Sequence, residues 1–422
     1  MNMGRMAEDM REYPGRLKRL GMQTAAALLI GVVCGLLGTL FHIAVHQAEH
    51  FRLGHPWMIW LMPVAGLIIV AVYKMTQAEG HGTDSVVKAA QEGDMAHMQL
   101  IPAIFIGTVL THLTGGSAGK EGAALQMGGQ VGYYVGRLLK YDSSYRRDCV
   151  ICGMAAFFSA LFGTPLGATV FALGVVHVGM IVYDNFLQTL IAAITGYLIS
   201  LSFHVEPTRF SLTGPRPGAL MFLRVLALGA LCAIPTILFC RLLHEAEELA
   251  EKMIENAWIR ILAGSALIIV FTLICGSQRY SGTGMSIIVP AVESGEILPW
   301  DWILKLVLTV ITASFGFRGG EVVPSFCIGA AFGCWIGPLL GLPAGFAAAV
   351  GLASVFCGCT NCLMATLILC VEMFGGGYEI LYFALACGVN YILSGRVGFY
   401  RAQALIIQDV DPNTIHHMEH PY

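Results

Sequence analysis

The chain has 422 residues, of which 56% are hydrophobic and only 12% are charged. Because soluble domains carry about 25% charged residues, this composition excludes an ordinary soluble protein and indicates a chain that crosses a membrane many times. With a formal net charge of -3, nothing in the composition indicates a nucleic-acid partner.

The N-terminal segment, residues 1–20, is basic. It lacks the apolar core and the small-residue cleavage site of a signal peptide. Positive charge accumulates on the cytoplasmic side of membrane proteins. We therefore expect a short amphipathic helix there, with the N-terminus cytoplasmic, followed by a transmembrane domain over residues 21–408 and a short tail over 409–422 with no CBS domains.

Apolar runs suited to membrane helices recur along the chain. The predicted helices lie near residues 22–49, 57–77, 97–113, 120–138, 148–162, 166–180, 186–202, 218–248, 256–275, 300–315, 323–340, 344–357, 361–375, 378–394 and 397–408. Several are shorter than the roughly 20 residues that span a bilayer. Short segments broken by glycine or proline at matching places in two halves indicate a binding site near the membrane midplane. The predicted fold is an all-α polytopic membrane protein with broken, tilted helices.

The first glycine-spaced turn before a predicted helix start is Gly80-His81-Gly82-Thr83. Threonine is a good helix N-cap. His81 lies between two glycines, so either its ring or amide faces an ion or it is simply a surface residue. The pattern favours neither alternative.

Residues 115–129 are the most informative stretch, because a glycine-dense turn runs into an apolar helix with Lys120 and Glu121 at the junction. The first N–H groups of a helix have no intrahelical partner. Glycine lets an ion approach closely, and the helix dipole favours negative charge. The sequence therefore predicts an anion site here, where the charge of Lys120 draws anions in. The expected lining is Gly119, Lys120, Gly122 and Ala123.

Glu121 lies close enough to this site for its own carboxylate to occupy it. An ionised carboxylate would compete with a free anion, whereas a protonated or displaced one would let the anion pass. The alternative is a glutamate that only caps the turn. A charge within a membrane segment is costly and usually functional, which favours a proton-dependent gate.

The chain also contains an internal repeat, with halves at about residues 20–202 and 215–408. Three residues of the first half recur 200 positions later, namely Gly119, Glu121 and Gly129 as Gly319, Glu321 and Gly329. The alternative is chance similarity between glycine-rich membrane helices. An inverted two-fold relation would aim the helix starts at Glu121 and Glu321 towards one central site.

The second organising stretch is residues 315–324. Pro324 near the first helical turn costs no hydrogen bond. Arg318 either pairs with Glu321 or leaves that carboxylate free, and the pattern does not decide. Near the end of the chain, the hydroxyl of Tyr400 could donate to an anion, although an interfacial aromatic anchor fits equally well.

Thirteen cysteines occur, some at ligand-like spacing, as at Cys149 and Cys152. Zinc sites of this kind need four ligands, and here the neighbouring residues are apolar and small. We interpret the cysteines as small apolar filler and expect no metal and no cofactor.

Together these stretches resemble the CLC family of chloride channels and anion/proton exchangers, over about residues 20–408. Residues 119–122 look like the Gly-Arg/Lys-Glu-Gly motif, whose glutamate is the external gate. Residues 320–324 look like the Gly-x-Phe-x-Pro motif, with Val322 in place of phenylalanine, and residues 80–84 occupy the place of Gly-Ser-Gly-Ile-Pro. Tyr400 matches the pore tyrosine. The resemblance implies a CLC-type inverted repeat, a homodimer with one anion pathway per subunit, and a bacterial inner-membrane location.

Within that family the chain is most similar to the bacterial fluoride/proton antiporters. The resemblance implies that Glu321, which matches the second glutamate of that branch, serves fluoride and proton coupling. Gly174 and Val175 stand where chloride/proton exchangers place an internal proton glutamate. The branch has methionine at the place of His81 and threonine at the place of Val323.

The expected function is halide transport, of fluoride or chloride, coupled to protons through Glu121 and Glu321, and not an enzyme activity. A passive chloride channel and a membrane scaffold without transport are the alternatives. The expected partners are halide anions, protons and the lipid bilayer. The expected anion-binding residues are Gly80, His81, Gly82, Thr83, Gly119, Lys120, Gly122, Ala123, Gly320, Val322, Val323 and Tyr400.

Overall fold

A computed structural model describes residues 3–80, 82–94, 100–178, 183–212, 214–395 and 397–405. These residues are mostly helical. The first eight helices are α1 (Met3–Gly54), α2 (Met62–Met75), α3 (Thr83–Glu92), α4 (Leu100–Thr114), α5 (Glu121–Leu138), α6 (Ser143–Phe162), α7 (Pro165–Gly174) and α8 (Phe186–Ser202). The next eight are α9 (Ala219–Met253), α10 (Ala257–Cys275), α11 (Met285–Glu293), α12 (Asp301–Ser314), α13 (Val322–Leu339), α14 (Ala344–Thr360), α15 (Leu363–Phe374) and α16 (Glu379–Ser394).

Five of the described helices are long and apolar enough to cross a membrane, namely Arg19–Gly54 of α1, the segment Pro56–Met75, and α9, α10 and α13. Several others are apolar but shorter, from 10 to 17 residues. This mixture confirms the predicted all-α polytopic fold with broken helices. The starts of α5 and α13 are buried inside the protein.

Close helix crossings are built from glycine in both halves. In the first half, Gly128 of α5 lies against the backbone of Gly153 in α6, where any Cβ would collide with a carbonyl oxygen. In the second half, Gly329 of α13 meets Gly351 of α14 in the same way. Small residues at such crossings let backbones approach within the membrane. The two halves therefore repeat one packing arrangement.

The structure corrects the register of the repeat. Helix α5 begins at Glu121 with Lys120 as its N-cap, and α13 begins at Val322 with Glu321 as its N-cap. Both helices have 18 residues. Glu121 therefore corresponds to Val322, and the predicted pairing of Glu121 with Glu321 is wrong by one position. The helix starts define which residues are equivalent, whereas the Gly-x-Glu sequence shared by the two halves aligns them one position out of register.

Several predicted element bounds also differ. Helix α1 is continuous from Met3 to Gly54, so the backbone has no break between the expected N-terminal helix and the first span. Helix α11 was not predicted. The helix predicted at 397–408 is wrong over residues 397–405, which form a turn and a two-residue strand, Ala404–Leu405, paired with His177–Val178. The expected tail at 409–422 lies outside the described residues.

Candidate functional site

The two glycine turns meet at the centre of the protein. The Gly119 N–H donates to the Gly320 carbonyl at 2.6 Å, and the Gly320 N–H donates to the Gly119 carbonyl at 2.7 Å. The bridge is antiparallel, and its two residues hold equivalent positions in the two halves. An antiparallel pair of equivalent residues is what an inverted two-fold relation produces. The starts of α5 and α13 are thereby held side by side.

Each turn is also fixed by a threonine from the opposite half. The Ser117 N–H donates to the Thr312 hydroxyl of α12 at 3.0 Å. In the equivalent contact, the Arg318 N–H donates to the Thr111 hydroxyl of α4 at 3.1 Å. These contacts satisfy turn N–H groups that would otherwise be buried without a partner.

Glu121 has no exposed surface, and its carboxylate lies among backbone N–H groups. The Oε2 atom accepts from the Lys120 N–H at 2.9 Å, and the carboxylate faces the N–H groups of Glu121 and Val323. The Oε1 atom has no hydrogen-bond partner among the described groups. A carboxylate among the N–H groups of two helix starts occupies the place that those starts offer to an anion. We call this place, lined by the N–H groups of Lys120, Glu121 and Val323, the amide seat. The role of Glu121 as a gate stays a prediction.

The side chain of Lys120 points elsewhere. Its Nζ lies 2.9 Å from Nδ1 of His42 on α1. The backbone N–H of Lys120, rather than its ammonium, therefore contacts the carboxylate of Glu121. The predicted role of Lys120 in drawing anions towards the site would therefore act through its charge at a distance, and it stays a prediction.

Glu321 lies beside the cavity rather than in the amide seat. It caps α13 without a hydrogen bond from its side chain to the helix. A Cβ at Gly122 would lie 3.0 Å from the Gly320 Cα and 3.5 Å from both Oε2 of Glu321 and the Thr83 hydroxyl, so Gly122 packs against the opposite turn with both groups nearby. The guanidinium of Arg318 stacks on the Tyr73 ring at 4.2 Å. No ion pair joins Arg318 to Glu321 among the described residues, which decides between the two alternatives left by the sequence.

A cavity of about 1340 Å³ leads to this region. Seven of the predicted site residues line it: Gly80, Gly82, Thr83, Ala123, Gly320, Glu321 and Tyr400. The Gly119–Gly320 bridge joins this set to Gly119, Lys120, Glu121, Gly122, Val322 and Val323 at the starts of α5 and α13. His81 lies outside the described residues.

Two hydroxyl groups in the cavity wall are suited to an anion. The Tyr400 hydroxyl is buried and has no hydrogen-bond partner in the described structure. The Thr83 hydroxyl accepts from Gln126 Nε2 at 2.9 Å. Because its oxygen is already engaged as an acceptor, its own proton is available to an anion.

Three polar groups near the site were missed by the sequence analysis, namely Gln126, His112 and Glu49, and of these three only His112 is fully buried. Gln126 orients Thr83. His112, fully buried in α4, lies with Nε2 at 3.0 Å from the Ala118 carbonyl in the first turn and at 4.0 Å from Glu49 of α1. Gln126 is 43 positions from Thr83, and His112 and Glu49 lie on different helices, so no local pattern could have identified these two pairs.

The position of the internal proton glutamate in chloride/proton exchangers is apolar here. Val175 is fully buried just after α7, and Gly174 ends that helix. Val323 is also buried and adds no hydroxyl to the amide seat. The carboxylates near the site are thus those at the two helix starts, Glu121 and Glu321.

Comparison with known proteins gives consistent results. The family model described as voltage gated chloride channel matches residues 65–395. A chloride/fluoride channel protein of Pseudomonas syringae pv. tomato is 33% identical over 388 residues, covering 90% of this chain and 85% of that protein. An H(+)/Cl(-) exchange transporter of Vibrio vulnificus is 26% identical over 392 residues, covering 84% of this chain and 82% of that protein.

Two solved structures are similar along almost the whole chain. The crystal structure of a CLC-type fluoride/proton antiporter has a TM-score of 0.87 at 32% identity, covering 92% of this chain and 98% of that chain. A slow cyanobacterial Cl-/H+ antiporter has a TM-score of 0.74 at 18% identity, covering 88% and 94%. The second likeness concerns the fold alone.

Proposed function

Because this chain belongs to the voltage-gated chloride channel family, we propose that it is a halide antiporter that exchanges a halide anion for protons through Glu121. The observation that carries the proposal is the fully buried Glu121 carboxylate among the N–H groups of two helix starts. A halide and an ionised carboxylate compete for one such seat, whereas a protonated carboxylate has lost the charge that holds it there. Proton binding and halide binding are thereby linked.

Glu321 supplies the second carboxylate for the proton. It lines the cavity, whereas Glu121 lies in the amide seat across the glycine bridge. In our proposal a proton taken up by Glu321 from the cavity reaches the gate, and the halide passes between the Thr83 and Tyr400 hydroxyls. Both hydroxyls and the N–H groups are hydrogen-bond donors, which suits a halide.

The cargo is fluoride, chloride or both. Relatives named for each ion are similar to this chain. We propose fluoride as the exported ion, because the more similar relatives carry fluoride in their names and the site presents hydrogen-bond donors. The measurement is efflux from proteoliposomes with fluoride and chloride electrodes in parallel and external pH recorded. Fluoride efflux below chloride efflux, without proton movement, would contradict this proposal.

A passive chloride channel is the second candidate, favoured by the absence of a carboxylate at Gly174 and Val175. The substitution Glu121→Gln separates the two. An antiporter should lose proton movement, because the amide cannot carry the proton, while halide still flows through the unblocked seat. The exposed Glu293→Gln at the end of α11 is the matched control and should keep both fluxes. A wild-type chain that moves halide without protons would establish the channel instead.

We further propose that the chain is a homodimer in a bacterial inner membrane, with a cytoplasmic N-terminus and one pathway per subunit. The two-half domain over residues 21–408 carries all transport residues. Cross-linking of the purified chain in detergent and in liposomes tests the dimer. Protease access to an N-terminal tag in sealed vesicles of known orientation tests the topology.

A further inference from the structure

Lys120 and Glu121 are adjacent in the chain, yet their charged groups are kept apart. The Lys120 ammonium lies 2.9 Å from His42 Nδ1. Among the residues that the structure describes, no carboxylate oxygen lies within 4.0 Å of this ammonium. Since opposite charges attract strongly where water is excluded, something must hold the lysine away from its neighbour.

The contact with Lys120 requires one state of His42 when the lysine is charged. An ammonium only donates hydrogen bonds, so a charged Lys120 requires Nδ1 to accept and the ring to be neutral with its proton on Nε2. The Leu161 carbonyl of α6 also faces the ring. The imidazole thus links α1 to the first turn.

Other charged groups near the lysine are already engaged. Glu49, one turn beyond His46 on α1, accepts from the Thr283 N–H at 2.9 Å and faces His112 at 4.0 Å. His46 stacks on His42 with ring centroids 6.3 Å apart. Of the groups facing Lys120, His42 alone forms a hydrogen bond with its ammonium in the described structure.

We propose that His42 is a positioning residue of the gate. It holds the Lys120 ammonium on α1, so that the Glu121 carboxylate leaves and re-enters its seat without forming an ion pair with the adjacent lysine. This inference rests on the proposed transport function of Glu121. Without His42, the freed lysine pairs with the carboxylate, and each transport cycle has to break that pair.

The transport test uses the full-length chain in proteoliposomes. His42→Ala should slow halide-coupled proton movement about tenfold when Lys120 is present. In the Lys120→Met background, the same His42→Ala should cause no further slowing, because no ammonium remains to be held. His42→Asn places an amide oxygen near the position of Nδ1 and should restore most of the rate. His46→Ala, one turn away, is the matched control and should leave the rate unchanged.

A second readout does not depend on transport. In the purified chain, the ¹⁵N resonance of His42 Nδ1, assigned by its loss in His42→Asn, should have the shift of an unprotonated acceptor and should move in Lys120→Met. A wild-type chain that moves no protons would refute the transport function, while this resonance would still report the contact.

Four results would overturn the inference. They are an unchanged rate in His42→Ala, equal slowing by His42→Ala in both backgrounds, slowing by His46→Ala as large as by His42→Ala, or a His42 resonance that does not respond to Lys120→Met. Equal slowing in both backgrounds would show that His42 only supports packing.

Discussion

At the residue scale, the geometry around Glu121 leaves no space for a side chain at position 119. The Oε2 atom of Glu121 lies where a Cβ on Gly119 would be. The same Cβ would lie 3.1 Å from the Gly320 carbonyl and 3.1 Å from Pro324 Cδ, so the neighbours on both sides are rigid. Glycine at 119 is therefore required both by the position of the Glu121 carboxylate and by the close approach of Gly320 and Pro324.

Gly119→Ala should accordingly displace the carboxylate and loosen coupling. We expect the carboxylate to occupy this position with about a tenfold lower equilibrium constant, which corresponds to about 1.4 kcal/mol, and the number of protons moved per halide to fall. The measurement is parallel halide and pH recording in proteoliposomes. The control is Gly218→Ala at the start of α9, where a Cβ would meet nothing within 4 Å. Normal coupling in Gly119→Ala would contradict the seat described here.

At the scale of the elements, the two halves are held together by exchanged threonine contacts. Thr312 of α12 binds the first turn, and Thr111 of α4 binds the second. Each helix therefore fixes the turn of the opposite half, and neither half forms the site alone. The one-residue correction of the repeat follows from these same contacts, because Thr111 and Thr312 hold equivalent places.

Thr312→Val should destabilise the fold by about 1–3 kcal/mol, because the buried Ser117 N–H loses its acceptor. Thr111→Val should have a similar effect through Arg318. The measurement is thermal unfolding of the purified chain in detergent. Thr114→Val is the matched control, since the Thr114 hydroxyl bonds only to Leu110 within its own helix at 2.9 Å. A loss in Thr114→Val as large as in Thr312→Val would show that the cross-half contact adds nothing.

At the scale of the whole molecule, the cavity carries both signs of charge, and two of the five Lys and Arg side chains that line it form ion pairs. Arg260 lies 3.3 Å from Glu251, and Arg401 lies 2.8 Å from Glu248. Arg318 instead stacks on Tyr73, so its charge is not cancelled by an ion pair in the described structure. A cation of this kind in a confined cavity raises the local concentration of anions.

Arg318→Gln should therefore raise the halide KM roughly twofold to tenfold at low ionic strength, with a smaller effect at high salt. The measurement is halide flux as a function of concentration. Arg401→Gln, which removes a cation paired at the surface, is the matched control and should change KM much less. An equal change in both variants would place the effect in the net charge of the cavity rather than in Arg318.

The membrane class, the helical fold and the importance of the two glycine turns could be inferred from the sequence, because composition, apolar periodicity and turn chemistry are local properties. The position of the Glu121 carboxylate at a helix start was predictable for the same reason, since a glycine turn, a helix start and a carboxylate are neighbours in the chain. The resemblance of short motifs in the right order indicated the family.

Only the tertiary structure decided how these parts meet. It shows that Glu121 is equivalent to Val322 in the repeat. It also shows that the side chain of Arg318 contacts Tyr73 and that the side chain of Lys120 contacts His42. These choices depend on contacts between residues 78 or more positions apart, which pattern analysis of one sequence does not contain. The physical reason is that a long, flexible cation takes the partner that the fold brings within hydrogen-bond distance, even when a carboxylate is its neighbour in the chain.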